Sequence, residues 1–391
     1  MIAILKREWK SYFQNNTGWL FIAAVLALYG LYFLAYNLRA GYPYVSYTLS
    51  AISFIMLIAV PILTMRSMAE ERHSRTDQLV LTAPVSLGKM IFGKFLAMVG
   101  VFTVAVAVIA VTPLVLAAFG TVPMGENYVA VLGFWLYGCT CIAVGMLASA
   151  LTESQVIAAV VAFAFLFLGY MMNSITGLIG DHLITKVLGA YDLYTPLQSF
   201  MSGCLDLTGV VYFVSVTALC LFLTCQCVQK RRWSMTTKKL TTGMFSVAMI
   251  VVGFAVAVAV NMVVKEMPSS WTAVDATSTK LYSLTDTTKD YVKNLSQDVT
   301  IYVLSSEKSA DSTLAETLQR YEDLSKHLNV VYKDPAKSPN FYQQYTDSAP
   351  SQNSMIVVSD ARSRVVDYSD IYEYSYDYST YSSSVDGYDA E

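Results

Sequence analysis

The chain has 391 residues, 55% of them hydrophobic and only 14% charged, whereas an ordinary soluble domain carries roughly 25% charge. The deficit is local: residues 1–264 hold 15 basic and 9 acidic side chains, net +6, while 265–391 hold 11 and 20, net −9. This excludes a soluble enzyme for the first part and argues against nucleic-acid binding by either.

Residues 1–15 open the chain as an amphipathic helix. Ile2, Leu5, Trp9, Tyr12 and Phe13 recur at helical spacing with Lys6, Arg7 and Lys10 between them, a pattern that lies in a lipid headgroup layer. A solvated amino terminus is the plainer alternative. The first apolar run is too long for a cleavable signal and lacks a clear small-residue cleavage site.

Seven charge-free intervals follow: 11–38, 40–65, 95–125, 127–152, 154–180, 207–229 and 240–264. Each exceeds the ~20 apolar residues a helix needs to cross the hydrocarbon layer. Spans are expected near 19–36, 46–65, 95–118, 128–151, 155–172, 209–228 and 243–264. With the amino terminus inside, cytoplasmic segments collect 13 basic residues and the short external loops only Arg39 and Lys186. The positive-inside rule selects that orientation, which puts residues 265–391 outside.

Within the spans no ionisable residue is expected at the midplane, which disfavours a proton-coupled carrier. Gly145 and Ser149, with Ala158 and Ala162, give the small-residue spacing that lets helices approach closely. Packing is the reading kept for them. Glu153 reads as interfacial, and Pro61 and Pro113 as possible kinks. Five of the six cysteines fall in spans, with Cys204 facing outward, and no CxxC pair supports zinc or a disulfide framework.

The largest internal loop, 66–94, reads RSMAEERHSRTDQLVLTAPVSLGKMIFGK. A short helix from Ala69 to about Leu81 is expected, ending before Pro84 because proline disfavours helix immediately ahead of it. Leu79, Val80 and Leu81 would offer a small apolar face to a partner, which a solvated loop would not need. Residues 88–95, GKMIFGKF, meet GxxxxGK but end in Phe95 and follow no strand, so no phosphate cradle is expected.

That loop resembles the one after the second helix of ABC-2-type transporter permeases, where a Glu-Glu pair precedes Gly-Thr-x-Glu, a leucine pair and a Ser/Ala-Pro. The matching positions are Glu70, Glu71, Thr76, Leu79, Leu81 and Pro84, with Arg75 in place of the glycine and Gln78 in place of the glutamate. A second stretch, TPLQSFMSGCLDLTGVVYFVS, resembles the gliding-motility-associated branch through Pro196, Ser199, Phe200, Gly203, Asp206 and Leu207. It reads Pro196-Leu197-Gln198 where that branch often has His-Phe-Glu. Together the matches cover about residues 1–230.

The resemblance implies the membrane half of an ATP-driven transporter, an exporter, and a coupling helix seated in a groove of a separate cytoplasmic ATPase. ATP and magnesium belong on that partner, none being bound by this chain, and a second permease copy completes the assembly. The implied organisation is an interfacial helix at 1–17, a six-helix permease domain at 18–230, a basic linker and seventh transmembrane helix at 231–264, and an extracytoplasmic domain at 265–391. The fold class is a polytopic α-helical membrane domain with a C-terminal α/β domain.

In that last part, 284–295 reads as a helix, 299–304 as a strand and 312–327 as an amphipathic helix carrying Leu314, Leu318, Tyr321 and Leu324 on one face. Residues 328–334 and 354–360 read as strands, with 363–369 returning as a hairpin, an α/β pattern. The stretch resembles the start of the auxiliary extracytoplasmic protein encoded with gliding-type permeases, and that family usually continues further. Tyr372, Tyr374, Tyr376 and Tyr378 alternate as in an edge strand, or as a sugar-stacking face. His73, His182 and His327 are too scattered for a metal motif. The rival from another class is a non-transporting membrane sensor or scaffold whose external domain binds an envelope ligand.

Overall fold

The computed structural model describes residues 2–75, 86–179, 189–232, 239–265, 267, 272–277, 284–306, 309–359, 362–377 and 382–388, with the backbone alone described for 230–232, 239–247, 273, 286, 312, 372–377 and 382–388. Two compact units result: one of residues 1–201 and 207–266, the other of 202–206 and 267–391.

The first unit is all helical. Helix α1 (Ile2–Gln14) turns into α2 (Thr17–Phe33) through Asn16, whose φ of 57° breaks the helical path. Gly18 makes the turn tight, since a Cβ there would sit 3.1 Å from the Tyr12 carbonyl oxygen. Helix α2 runs on as a π-helical segment, Leu34–Arg39. Then come α3 (Ser46–Thr64), α4 (Arg66–His73), α5 (Leu87–Ile109), α6 (Thr112–Ala117), α7 (Met124–Leu151), α8 (Gln155–Ile179), α9 (Tyr194–Met201), α10 (Leu207–Arg232) and α11 (Lys239–Lys265).

Seven of these segments are long and apolar enough to cross a membrane, the polytopic architecture that the charge-free intervals predict. Helix α7 is central: 78% of its apolar window is buried, against none for the last span, Ala248–Lys265. Glycines permit this closeness. A Cβ at Gly133, Gly138 or Gly145 would lie 2.2–2.3 Å from Phe200, Phe102 or Thr64 respectively, contacts no real Cβ could keep.

Buried asparagines close the connection between α2 and α3. Asn37 donates to the carbonyls of Tyr42 and Tyr44 and accepts from the Thr48 hydroxyl. Asn127, from α7, donates to the Pro43 carbonyl and accepts from the Val45 N–H at 2.6 Å. Backbone groups in a buried connection need such partners, because an unpaired one costs about as much as a lost hydrogen bond.

The second unit holds a sheet of order β4-β3-β5-β6, made of β3 (Val299–Val303), β4 (Leu328–Tyr332), β5 (Met355–Ser359) and β6 (Ser363–Val366). Strands β3 and β4 are parallel, joined by helix α13 (Ser312–Leu324), while β5 runs antiparallel to β3 and β6 to β5. Helix α12 (Asp286–Lys293) precedes them. Thr285 caps α12 by accepting the Thr288 N–H, and Asp311 caps α13 by accepting that of Leu314. Val292, Ile301, Val303, Leu314, Leu318, Leu328, Met355 and Ile371 form the core. Two further pairs are antiparallel: β1 (Cys204–Asp206) with β2 (Ala273–Asp275), and β7 (Tyr372–Asp377) with β8 (Ser382–Tyr388). The predicted tyrosine strand is thus β7, paired with β8 and bulged at Glu373/Tyr374, while Tyr378 lies outside the described residues.

Candidate functional site

Helix α4 gathers the charge of the first unit. Its Arg66 guanidinium donates to both carboxylate oxygens of Glu70 at 2.8 and 2.9 Å, one turn on, and to the Thr17 hydroxyl of α2 at 3.3 Å. Glu71 faces the opposite cation: its carboxylate lies 2.6 Å from Lys94 Nζ of α5 and 3.5 Å from Arg7 of α1. Arg7 also pairs with Glu8 at 2.7 Å, and that hydrogen bond raises the already high pKa of the guanidinium. At the far side of α4, Arg72 reaches Glu153 at 2.7 Å and the Leu151 carbonyl, where α7 ends.

Lys94 is the unexpected member. Placed in the loop by sequence, it lies inside helix α5, 3% exposed, and donates to the Ser67 carbonyl at 2.9 Å as well as pairing with Glu71. The GKMIFGKF stretch is helix from Leu87 onward, so its glycines form no phosphate loop. A cavity of about 460 Å³ lies between α1, α4 and α5, lined among others by Arg7, Glu8, Arg66, Glu70, Glu71 and Lys94. Three cations face three carboxylates there.

The start of α4 is held differently. Helix α3 ends at Thr64 and α4 begins at Arg66, so the i→i−4 ladder is interrupted between them. Ser149 of α7 fills the interruption: its hydroxyl accepts the N–H groups of Met68 at 3.1 Å and Ala69 at 3.0 Å, and donates to the Met65 carbonyl at 3.0 Å. A side chain inserted into the ladder is a recognised cause of a helix break. Gly145, one turn earlier on α7, gives Thr64 the room to lie against that helix.

Helix α4 ends sooner than expected. Ser74 donates its N–H to the Glu70 carbonyl, and Arg75 then takes a φ of 57°, which ends α4; the remainder of the helix that sequence predicts from Ala69 to Leu81 lies outside the described residues. The family's glycine at this position has its explanation here, since only glycine adopts that conformation without steric cost. Of the expected coupling residues, the structure brings together Glu70 and Glu71. Thr76, Leu79, Leu81 and Pro84 lie outside the described residues.

The second motif is divided. Pro196, Ser199 and Phe200 are on α9, which Asp192 caps by accepting the N–H groups of Tyr194 and Thr195. Phe200 is fully buried, wedged against Gly133 and Gly209. Gly203 turns the chain with a φ of 82°, and Asp206 ends β1 in the other unit. Cys204, expected outside the spans, lies in β1, where its side chain is buried. Phe200 is therefore a packing residue, and the motif's residues are divided between the two units.

The sequence reading missed Arg7, Arg66, Lys94 and Ser149. The Arg66–Glu70 pair carries a legible signal, the i,i+4 spacing. Lys94 carried a weaker one, apolar residues on both sides of it. Nothing in sequence pairs it with Glu71.

Seven long apolar helices among the described residues, one of them largely buried by its neighbours, define a multi-pass membrane protein. Residues 39–228, just under half of the chain, match a family model described as ABC-2 family transporter protein, and the matched segment includes α4, α5 and α7 but not α1. Residues 278–371 match a second model, described as Domain of unknown function (DUF7088). No curated protein and no solved structure matches the chain significantly.

Proposed function

We propose that the chain is the membrane-spanning permease subunit of an ATP-binding cassette transporter of the ABC-2 type, an exporter driven by a separate cytoplasmic ATPase. The amino terminus and the loop 66–94 are cytoplasmic, residues 265–391 are extracytoplasmic, and two permease copies form the pore. ATP and magnesium sit on the ATPase, and none binds this chain. The permease domain comprises residues 18–230, the interfacial helix 1–17 lies against the inner leaflet, and 231–264 add a linker and a seventh crossing. The external part is of the gliding-type auxiliary kind.

One observation carries this reading. Helix α4, directly ahead of the segment holding Thr76, Leu79, Leu81 and Pro84, is ion-paired to α1, α5 and the end of α7. A force applied to that segment passes through Glu71 and Arg72 into three other helices. Closure of the ATPases on ATP pushes the loop, and the motion reaches the bundle through these ion pairs. The match of residues 39–228 to the ABC-2 family supports the same reading.

The test is Leu79→Asp. With the protein expressed at its normal level in native membranes, the wild-type chain retains an ATP-hydrolysing subunit through purification and the variant loses it. Equal retention by both would contradict the assignment of the loop. Absence of any such subunit from the wild-type chain would favour the sensor or scaffold reading.

A further inference from the structure

The interruption between α3 and α4 has a consequence of its own. In an unbroken helix the Met68 N–H would donate to the Thr64 carbonyl, but here it goes to the Ser149 hydroxyl. Met65 nevertheless keeps helical angles, φ −54° and ψ −33°. The two helices are therefore one small rearrangement from a continuous rod. What holds them apart is a single buried hydroxyl from another helix, itself 0% exposed.

We propose that Ser149 is a positioning residue that acts as the pivot between the membrane span α3 and the charged helix α4. Its oxygen accepts from α4 and its proton goes to the carbonyl at the junction. Helix α4 can thus swing about α7 without drawing the whole span with it. Thr64, pressed against Gly145 and bonding its own hydroxyl back to Val60 at 3.0 Å, anchors the α3 side. The ion pairs of Glu71 and Arg72 then set where α4 comes to rest. This deepens the transporter reading, since a jointed connection decides how loop motion reaches the span, but the joint itself can be measured without an ATPase.

The experiment is amide hydrogen exchange across residues 62–73 of the full chain in lipid nanodiscs, wild type against Ser149→Ala. Loss of the hydroxyl leaves the Met68 and Ala69 N–H groups to close the α3–α4 ladder, so exchange at these two amides is slower in the variant than in the wild type. Unchanged or faster exchange in the variant would show that Ser149 merely caps α4, and would overturn the pivot. A chain that purifies without an ATPase but shows the slowed exchange would remove the transporter reading and leave the joint standing.

Discussion

Lys94 and Glu71 meet at 2.6 Å between two helices, with the lysine 3% and the glutamate 21% exposed. The pair is asymmetric. Glu71 has Arg7 nearby at 3.5 Å and some water, whereas Lys94 has only Glu8 at 3.9 Å and the Ser67 carbonyl besides. A buried charge stripped of its partner is the costly case, about 3 kcal/mol or more, while replacing both members by apolar groups is often neutral.

Glu71→Gln should therefore destabilise the chain by about 3 kcal/mol, and Lys94→Met by less, on the same scale of buried-pair costs. The double variant Glu71→Leu/Lys94→Met should recover most of the loss. Thermal unfolding of the three variants in one detergent reads the order. Equal losses for the two single variants would show that the lysine is solvated.

Arg75 holds a φ of 57° where the resembling family has glycine. A non-glycine residue in this region costs roughly 1–2 kcal/mol. Arg75→Gly should raise stability by about 1 kcal/mol, the glycine's own unfolded-state entropy cancelling part of the gain. An unchanged or lower melting temperature would mean that the guanidinium makes a contact worth as much as the strain.

Phe200 fills the space left by Gly133 and Gly209, with a Cβ at Gly133 meeting it at 2.3 Å. Phe200→Ala should cost about 3–5 kcal/mol through the cavity it opens, and Gly133→Ala about 1–3 kcal/mol through overpacking. Gly30, which has nothing within 4 Å of its would-be Cβ, is the control, and Gly30→Ala should be neutral or mildly stabilising. Comparable losses at Gly30 and Gly133 in thermal melts would count against the packing argument.

Much of this architecture is written in single-residue patterns. Hydrophobic runs bounded by Arg39, Arg66 and Glu153 give the spans, and the alternation around Ile301 and Val303 with the Leu314, Leu318 and Leu324 stripe gives the α/β sheet and its helix. The site is another matter. Its members come from α1, α4, α5 and α7, and the contacts Lys94–Glu71 and Ser149–Met68 join residues 23 and 81 positions apart. No local period encodes such pairs. The helix predicted from Ala69 to Leu81 is interrupted at Arg75 because an arginine gives no warning of left-handed backbone, and its remainder lies outside the described residues. The motif from Pro196 to Asp206 reads as one stretch in sequence, yet Gly203 divides it between two units.

In the second unit, the Asp367 carboxylate accepts hydrogen bonds from the backbone and hydroxyl of both Ser351 and Ser369, and these hold its pKa well below the ordinary carboxylate range. A depressed folded pKa adds stability that is present above the unfolded value, near 3.9, and disappears as pH falls towards the folded one. Amide exchange across residues 351–369 of the full chain should accelerate as pH drops below about 4, beyond the intrinsic chemistry, and Asp367→Asn should abolish that extra acceleration. The same acid response in the variant would place its origin elsewhere.

The most direct measurement is the composition of the protein as drawn from native membranes, together with its ATP turnover. The account predicts a complex in which this chain and an ATP-hydrolysing subunit co-purify, held by the loop 66–94 and separated by Leu79→Asp. A wild-type chain that emerges alone and shows no nucleotide-dependent companion would contradict it.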